Sequence, residues 1–212
     1  QLTAFDFMSR FVKQIYNQED AFSRKSVFLD RDGTLIRKVD YLSDPSQISL
    51  LHGVVEGIKK LNENNIVVII VTNQPVIARG LATVKDVKLI NDTLVKMLSK
   101  KGAHINAIYF CPHHPEKHHK DIPPKAMKFR IECECRKPRL AMFNKAAEDF
   151  NINLEKSFII GDSSRDVKAG EDLGISTILM QTTGEDYDNI YTSKPNYVVS
   201  DFSQAVDIIC KQ

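Results

Sequence analysis

What most constrains this chain is a recurring beat of short apolar runs, each ending in polar residues and each followed by a segment of helical periodicity. The runs are "SVFLD", "IVVIIVTN", "NAIYF", "KSFIIGD", "ISTILM" and "NYVVS". The intervening segments run from His52 to Asn64, Val84 to Leu98, Arg139 to Phe150, Ser164 to Leu173 and Asp201 to Cys210. Runs apolar on both faces, alternating with amphipathic helices, are what a parallel sheet covered on both sides requires. The pattern predicts an α/β fold with an open, mostly parallel, doubly wound sheet of five or six strands. Thr83 with Asp86 three residues on forms a capping box at one helix start, and Gly102 and Gly174 mark helix ends. Cys210 falls on the apolar stripe of the last helix and reads as core.

The chain has 212 residues, 42% of them hydrophobic, enough for one core without covalent staples. Twenty-nine basic against 27 acidic side chains leave a net charge of +2 with no dominant basic block. That balance argues against nucleic acid or a membrane surface as partner. Three clustered cysteines beside histidines read as a thiolate metal site in a reducing compartment, so the cytoplasm is the expected location, and no apolar run approaches the roughly 18 residues of a membrane helix. Phe5, Met8, Phe11, Val12, Ile15 and Tyr16 share a helical stripe, which predicts an N-terminal amphipathic extension over 1–24 ahead of a single domain over 25–212. The chain opens on Gln1 rather than Met, which raises the expectation of a fragment or processed product with a possible upstream domain. Oligomeric state is expected to be a monomer or a small homo-oligomer.

Three strand exits carry polar residues that the sheet itself does not need. They are "FLDRDGT" with Asp30, Asp32 and Thr34, "IVTNQ" with Thr72 and Asn73, and "IIGDSSRD" with Asp162 and Asp166. In a doubly wound fold, ligands bind at the carboxyl ends of strands, so these exits can converge. Gathered carboxylates repel one another and call for a hard divalent cation, for which Mg²⁺ is suited. With such a cation, one aspartate can attack phosphorus while a second, two residues on, exchanges a proton with the leaving oxygen. This casts Asp30 as nucleophile and Asp32 as acid and base. Lys137, placed just before Pro138 and read as lying at a helix start, can supply positive charge to a phosphoryl group. Asp166 has two readings, a cap or brace for its loop and a metal contact.

The segment from Cys111 to Pro138 holds three of the four cysteines and four of the six histidines. Thiolates from Cys111, Cys133 and Cys135 with one imidazole complete a tetrahedral set for Zn²⁺, and a full protein shell points to a structural ion. Spacing alone does not rank His113 against His114.

Taken in order, "FLDRDGTL", "VTNQ", "CRKP" and "GDSSRD" resemble the four signature segments of the haloacid dehalogenase superfamily. With "IARG", "CPHHP" and "CECRKP", residues 25 to 210 resemble most the D-glycero-D-manno-heptose-1,7-bisphosphate phosphatases, with histidinol-phosphate phosphatases as near relatives. The resemblance implies that Asp30 forms an aspartyl-phosphate and that Asp32 is general acid, then general base. It implies Mg²⁺ on Asp30, the backbone carbonyl of Asp32, and Asp162. Thr72 and Lys137 would hold the transferring phosphoryl group, with Asn73 and Arg136 nearer the rest of the substrate. It also selects His113 as the partner of Cys111, Cys133 and Cys135, giving a zinc loop over 111–135 in place of a large cap domain.

The implied reaction is Mg²⁺-dependent hydrolysis of a small sugar phosphate, heptose 1,7-bisphosphate before others. The alternatives are a histidinol-phosphate phosphatase or other small phosphomonoesterase, a phosphatase for a nucleic-acid end, and an inactive zinc-containing interaction module. The chain departs from the family pattern at Pro75 and Val76, where Ser-Gly is common, and at Ser163, where Lys is common. These positions bear on the sugar more than on the reaction. Arg79, in "IARG", either binds that part of the substrate or pairs at the surface.

Overall fold

The computed structural model describes residues 24–115, 122–181, 188 and 190–212. The expected helix over 5–16 and the extension over 1–24, apart from Arg24, lie outside the described residues, as do His118 and His119.

Among the described residues, six strands form one sheet: β1 (Ser26–Leu29), β2 (Val67–Asn73), β3 (Ala107–Cys111), β4 (Phe158–Gly161), β5 (Ser176–Met180) and β6 (Tyr197–Val199). Their spatial order is β3-β2-β1-β4-β5-β6, and every pairing is parallel. The helices are α1 (Val54–Glu63), α2 (Val84–Ser99), a single turn α3 (Pro124–Met127), α4 (Ala141–Phe150), α5 (Ser164–Leu173) and α6 (Phe202–Lys211). The expected fold class holds.

Strand alternation splits the core into two layers. Val27, Leu29, Val68, Ile70 and Ile160 face a cluster with Ile58 of α1, Leu94 of α2 and Phe202 of α6. Phe28, Ile69, Val71 and Ile159 face the other way, toward Met142, Phe143 and Ala146 of α4 and Ala169 of α5. Phe143 meets Phe28 edge to face, with ring centroids 5.2 Å apart. Each fully buried aliphatic or aromatic side chain contributes about 1.5–3 kcal/mol of transfer free energy, so two such layers suffice without a disulfide, and all four cysteines are free thiols. Cys210 is half-buried against the first layer rather than fully enclosed.

Helix ends follow local chemistry. Thr83 accepts from the Asp86 amide while the Asp86 carboxylate accepts from the Thr83 amide, so the predicted capping box is present. Gly174 ends α5 in the left-handed conformation. Between Asp30 and α1 the chain forms only a 3-10 turn, Pro45–Gln47, together with a bridge from Ile36 to Leu50. There is no cap domain in that interval.

The strand order places the functional ends. From β1 the connections step outward to β2 and β3, and from β4 they step the opposite way to β5 and β6. β1 and β4 are therefore neighbours whose chains leave in opposite directions, the crevice where such folds bind ligands. Asp30 leaves β1 and Asp162 leaves β4, and the Asp30 amide donates to the Ile160 carbonyl at 2.9 Å, carrying the ladder into the site.

Candidate active site

At this crevice, carboxylate oxygens of Asp30, Asp162 and Asp166 all lie within 4.8 Å of one another. Two backbone features make the approach possible. Gly33 has φ +84°, and a Cβ there would sit 2.2 Å from Asp162 Oδ2. At Gly161 a Cβ would meet Asp166 at 2.3 Å, so the strand exit can carry no side chain.

Lys137 enters this cluster from the loop ahead of α4. Its ammonium donates to Asp30 Oδ1 at 2.7 Å, Asp166 Oδ1 at 2.6 Å and the Val71 carbonyl at 2.7 Å. Burial alone would disfavour the charged amine, but Asp166 and Asp30 outweigh it and hold the proton on more tightly than in a free lysine. Lys137 lies ahead of the helix rather than at its start: α4 begins at Ala141 after the cap Leu140. The charge offered to a phosphoryl group is therefore the ammonium itself, not the helix amides.

One lysine cannot serve three carboxylates. Burial, then Asp30 and Asp166, push Asp162 up to about 7, against the pull of Lys38, whose ammonium is 3.2 Å from Asp162 Oδ2. Three clustered carboxylates face one buried ammonium and the exposed Lys38, so the place is short of positive charge. The donor set of hard oxygens fits Mg²⁺.

Around it lies a cavity of about 330 Å³. Its floor includes Asp30, Asp32, Thr72 and Lys137, and its rim carries Lys38, Arg79, Arg136 and Arg165.

A second cluster lies in the loop beside it. The Cys111, Cys133 and Cys135 sulfurs are 3.1–3.5 Å apart, and His113 Nδ1 is 3.3 Å from Cys135 and 3.8 Å from Cys111. A tetrahedral Zn²⁺ with sulfurs at about 2.3 Å has edges of about 3.8 Å, so the four donors are near their places. Burial raises the Cys111 and Cys135 thiols and lowers His113, which favours the neutral imidazole a metal needs. The residues fit a structural zinc.

A HAD-hydrolase-like family model matches residues 134–205. The D-glycero-alpha-D-manno-heptose-1,7-bisphosphate 7-phosphatase of Photorhabdus laumondii is 35% identical over 160 residues, 76% of this chain and 84% of that protein. The chain belongs to the haloacid dehalogenase superfamily of phosphatases. The D-glycero-beta-D-manno-heptose-1,7-bisphosphate 7-phosphatase of Haemophilus ducreyi is 32% identical over 163 residues, 76% of this chain and 85% of that protein. Among solved structures, D,D-heptose 1,7-bisphosphate phosphatase from B. bronchiseptica, complexed with magnesium and phosphate, superposes with a TM-score of 0.75 at 27% identity. That match covers 88% of this chain and 98% of that one.

Within this haloacid dehalogenase fold, the residues singled out from sequence fall as follows. Asp30, Asp32, Thr72, Asn73, Arg79, Arg136, Lys137 and Asp162 all line the one cavity. Asn73 has a job nearer the backbone: its amide oxygen accepts from the Lys137 amide at 2.9 Å and its nitrogen donates to the Lys137 carbonyl at 3.1 Å. It holds the lysine loop. Arg136 donates to the His113 carbonyl at 3.2 Å, which ties the rim to the sulfur cluster. Arg79 stacks over Tyr41 with its guanidinium carbon 5.1 Å from the ring centroid. Asp166 is seen in its bracing role: it accepts from Lys137 Nζ at 2.6 Å and from Ser163 Oγ at 2.7 Å, beside the carboxylates of Asp30 and Asp162. Thr34 is buried, and its hydroxyl has no hydrogen-bond partner among the described residues.

Sequence reasoning passed over Lys38, Arg165, Arg31 and Gln74. Lys38 and Arg165 look like ordinary surface cations, and only the folded rim brings them to the cavity. Gln74 had a signal, as the third residue of "TNQ". Arg31 had one too: a charged residue between two strand-exit aspartates has little room except inward.

Proposed function

We propose that this protein is an Mg²⁺-dependent phosphomonoesterase that removes one phosphate from a small sugar bisphosphate, with D-glycero-D-manno-heptose 1,7-bisphosphate as preferred substrate and its 7-phosphate as the group released. The observation that carries the reaction is the Lys137 ammonium joining Asp30 and Asp166 beside Asp162, at the exits of β1 and β4. The substrate rests on the relatives, which are named as heptose-1,7-bisphosphate 7-phosphatases, and on the rim. Lys38, Arg79, Arg136 and Arg165 suit a second anionic group beyond the reacting one.

Asp30, the carbonyl of Asp32, and Asp162 would hold Mg²⁺, whose charge lets an anionic carboxylate approach an anionic phosphate. The chain's own residues do the rest. Thr72 and Lys137 grip the phosphoryl oxygens. An Asp30 carboxylate oxygen bonds to phosphorus as the bond to the sugar oxygen breaks, and Asp32 gives that oxygen its proton. Water then attacks the same phosphorus, Asp32 takes the water's proton, and the Asp30–phosphorus bond breaks to release phosphate. Cys111, His113, Cys133 and Cys135 would hold Zn²⁺, which orders the loop bearing Arg136 and Lys137 without entering the reaction.

The test is phosphate release by the purified protein with Mg²⁺, across both anomers of heptose 1,7-bisphosphate, histidinol phosphate and a set of sugar monophosphates. A kcat/KM at least about tenfold higher for a heptose bisphosphate, near 1.4 kcal/mol of discrimination, supports the substrate. Preference for histidinol phosphate, or equal slow turnover of all esters, overturns it. No release from any ester overturns the reaction itself and leaves the interaction module.

A further inference from the structure

Asp32 is held by a network that the proposed reaction does not call on. Arg31 lies in the wall of the cavity and is fully buried. Its Nε and Nη2 donate to both carboxylate oxygens of Asp32 at 2.9–3.3 Å. Nη1 donates to Asn91 Oδ1 on α2 at 2.8 Å, and Nη2 also donates to Gln74 Oε1 at 2.8 Å.

The bond to Gln74 orients that amide. A guanidinium can only donate, so the Gln74 oxygen must face Arg31 and the nitrogen must face away. Gln74 Nε2 then donates to Asp32 Oδ2 at 2.8 Å and to Thr72 Oγ1 at 3.0 Å. A Thr72 oxygen that already accepts from Gln74 keeps its own hydrogen for a partner in the cavity it lines. The Gln74 backbone is fixed as well, since its amide donates to the Cys111 carbonyl at 2.8 Å.

A buried guanidinium needs partners wherever it lies. Here the partners include the carboxylate that must meet the leaving oxygen and, through one amide, the hydroxyl that must meet the phosphoryl oxygens. We propose that Arg31 and Gln74 are positioning residues that align the Asp32 carboxyl and the Thr72 hydroxyl as one unit, so that proton delivery and phosphoryl grip are set together. This rests on the phosphatase reading above.

Misplacing Asp32 hurts most where the leaving oxygen needs a proton. The test therefore compares a sugar phosphate with 4-nitrophenyl phosphate, whose leaving group departs as the anion. Replacing the fully buried Arg31 endangers the fold, so the full chain with Mg²⁺ carries Gln74→Met, checked by its melting temperature. The expected result is a kcat/KM lower on both esters, because Thr72 loses its alignment in each, but by at least about tenfold more on the sugar phosphate, where Asp32 must also protonate the leaving oxygen, within the range of general acid catalysis. Because the same Asp32 activates water in the second step, nitrophenolate release should also acquire a burst. An equal loss on both esters, or no loss on either, overturns the proposal. Should Gln74→Met fail to fold, Gln74→Glu keeps an acceptor for Arg31 while removing the N–H donors, and it is held to the same outcomes. Wild-type protein inactive on both esters would instead remove the phosphatase reading.

Discussion

The two metal-competent clusters of this protein are built in opposite ways. The sulfur cluster is local: Cys111 and Cys135 are 24 positions apart, on one strand end and the loop that returns to it. Its four donors face one another as a closed set, with nothing left over for a substrate. The carboxylate cluster is long-range, with Lys137 and Asp30 107 positions apart, and it is electrostatically short of charge: three carboxylates, one buried ammonium and an exposed lysine at the rim. A closed, satisfied set holds a loop; an open, unsatisfied one can take part in chemistry. Arg136 and Lys137 follow Cys135 directly, so the first cluster sets the backbone from which the second receives its ammonium.

Asp30→Asn breaks the contrast most severely. It should lower kcat by at least about 1,000-fold in steady-state phosphate release, because the nucleophile is lost while Thr72 and Lys137 remain to hold the phosphoryl group. The same variant removes a charge from a crowded cluster and leaves Lys137 paired with Asp166, so its melting temperature should hold or rise. Full turnover by Asp30→Asn would end the aspartyl-phosphate mechanism.

Cys135→Ala should act through structure first. Zinc content should fall on metal analysis, and the melting temperature should drop by about 2–4 °C for each kcal/mol of stability lost. The catalytic defect should be a smaller one, about tenfold in kcat/KM, since outer supports of a site are worth roughly that much. A loss as deep as that of Asp30→Asn would mean the sulfur cluster takes part in the reaction.

Asp162 gives the contrast a pH dependence. Its folded value, about 7, lies above the ordinary 3.8, so the metal-free protein is favoured while Asp162 is protonated and loses that stability as pH rises from about 4 through 7. Binding a cation requires the proton to leave. The Mg²⁺ dissociation constant should therefore weaken by about tenfold per pH unit below 7 and level off above it, as read by calorimetry. A flat profile between pH 5 and 7 would deny Asp162 the ligand role.

Lys38→Met should have the smallest effect. Its side chain is 55% exposed and its contact with Asp162 is solvent-screened. Removing it should tighten Mg²⁺ by no more than about fivefold, the scale of a surface ion pair. Weaker Mg²⁺ binding in the variant would mean that Lys38 supports the ion rather than competing with it.

Much of the fold was legible because strand runs and helix stripes are local patterns: α5 ends at Leu173 before Gly174, as read from sequence, and the Thr83 box is in place. The helix expected from Arg139 instead opens at Ala141, because the turn from Arg136 to Leu140 is spent delivering Lys137 inward. Asn73 was legible as a site residue but not as the clamp on the Lys137 backbone, since that bond joins residues 64 positions apart. Lys38 and Arg165 carried no pattern of their own; a cation on a loop looks the same in sequence whether it meets solvent or a cavity.

By itself the sequence determined which atoms are available: apolar runs that demand a covered parallel sheet, three strand exits bearing carboxylates, and three thiols with a histidine near one lysine. Only the tertiary structure decided what those atoms are to one another. It fixed which carboxylates share Lys137, that Asp162 lies buried among other carboxylates, and that Arg31 holds Asp32 directly and reaches Thr72 through Gln74. The physical reason is that propensity and periodicity act over a few residues, whereas Coulomb forces and hydrogen-bond geometry depend on distances that exist only once the strands have been laid side by side.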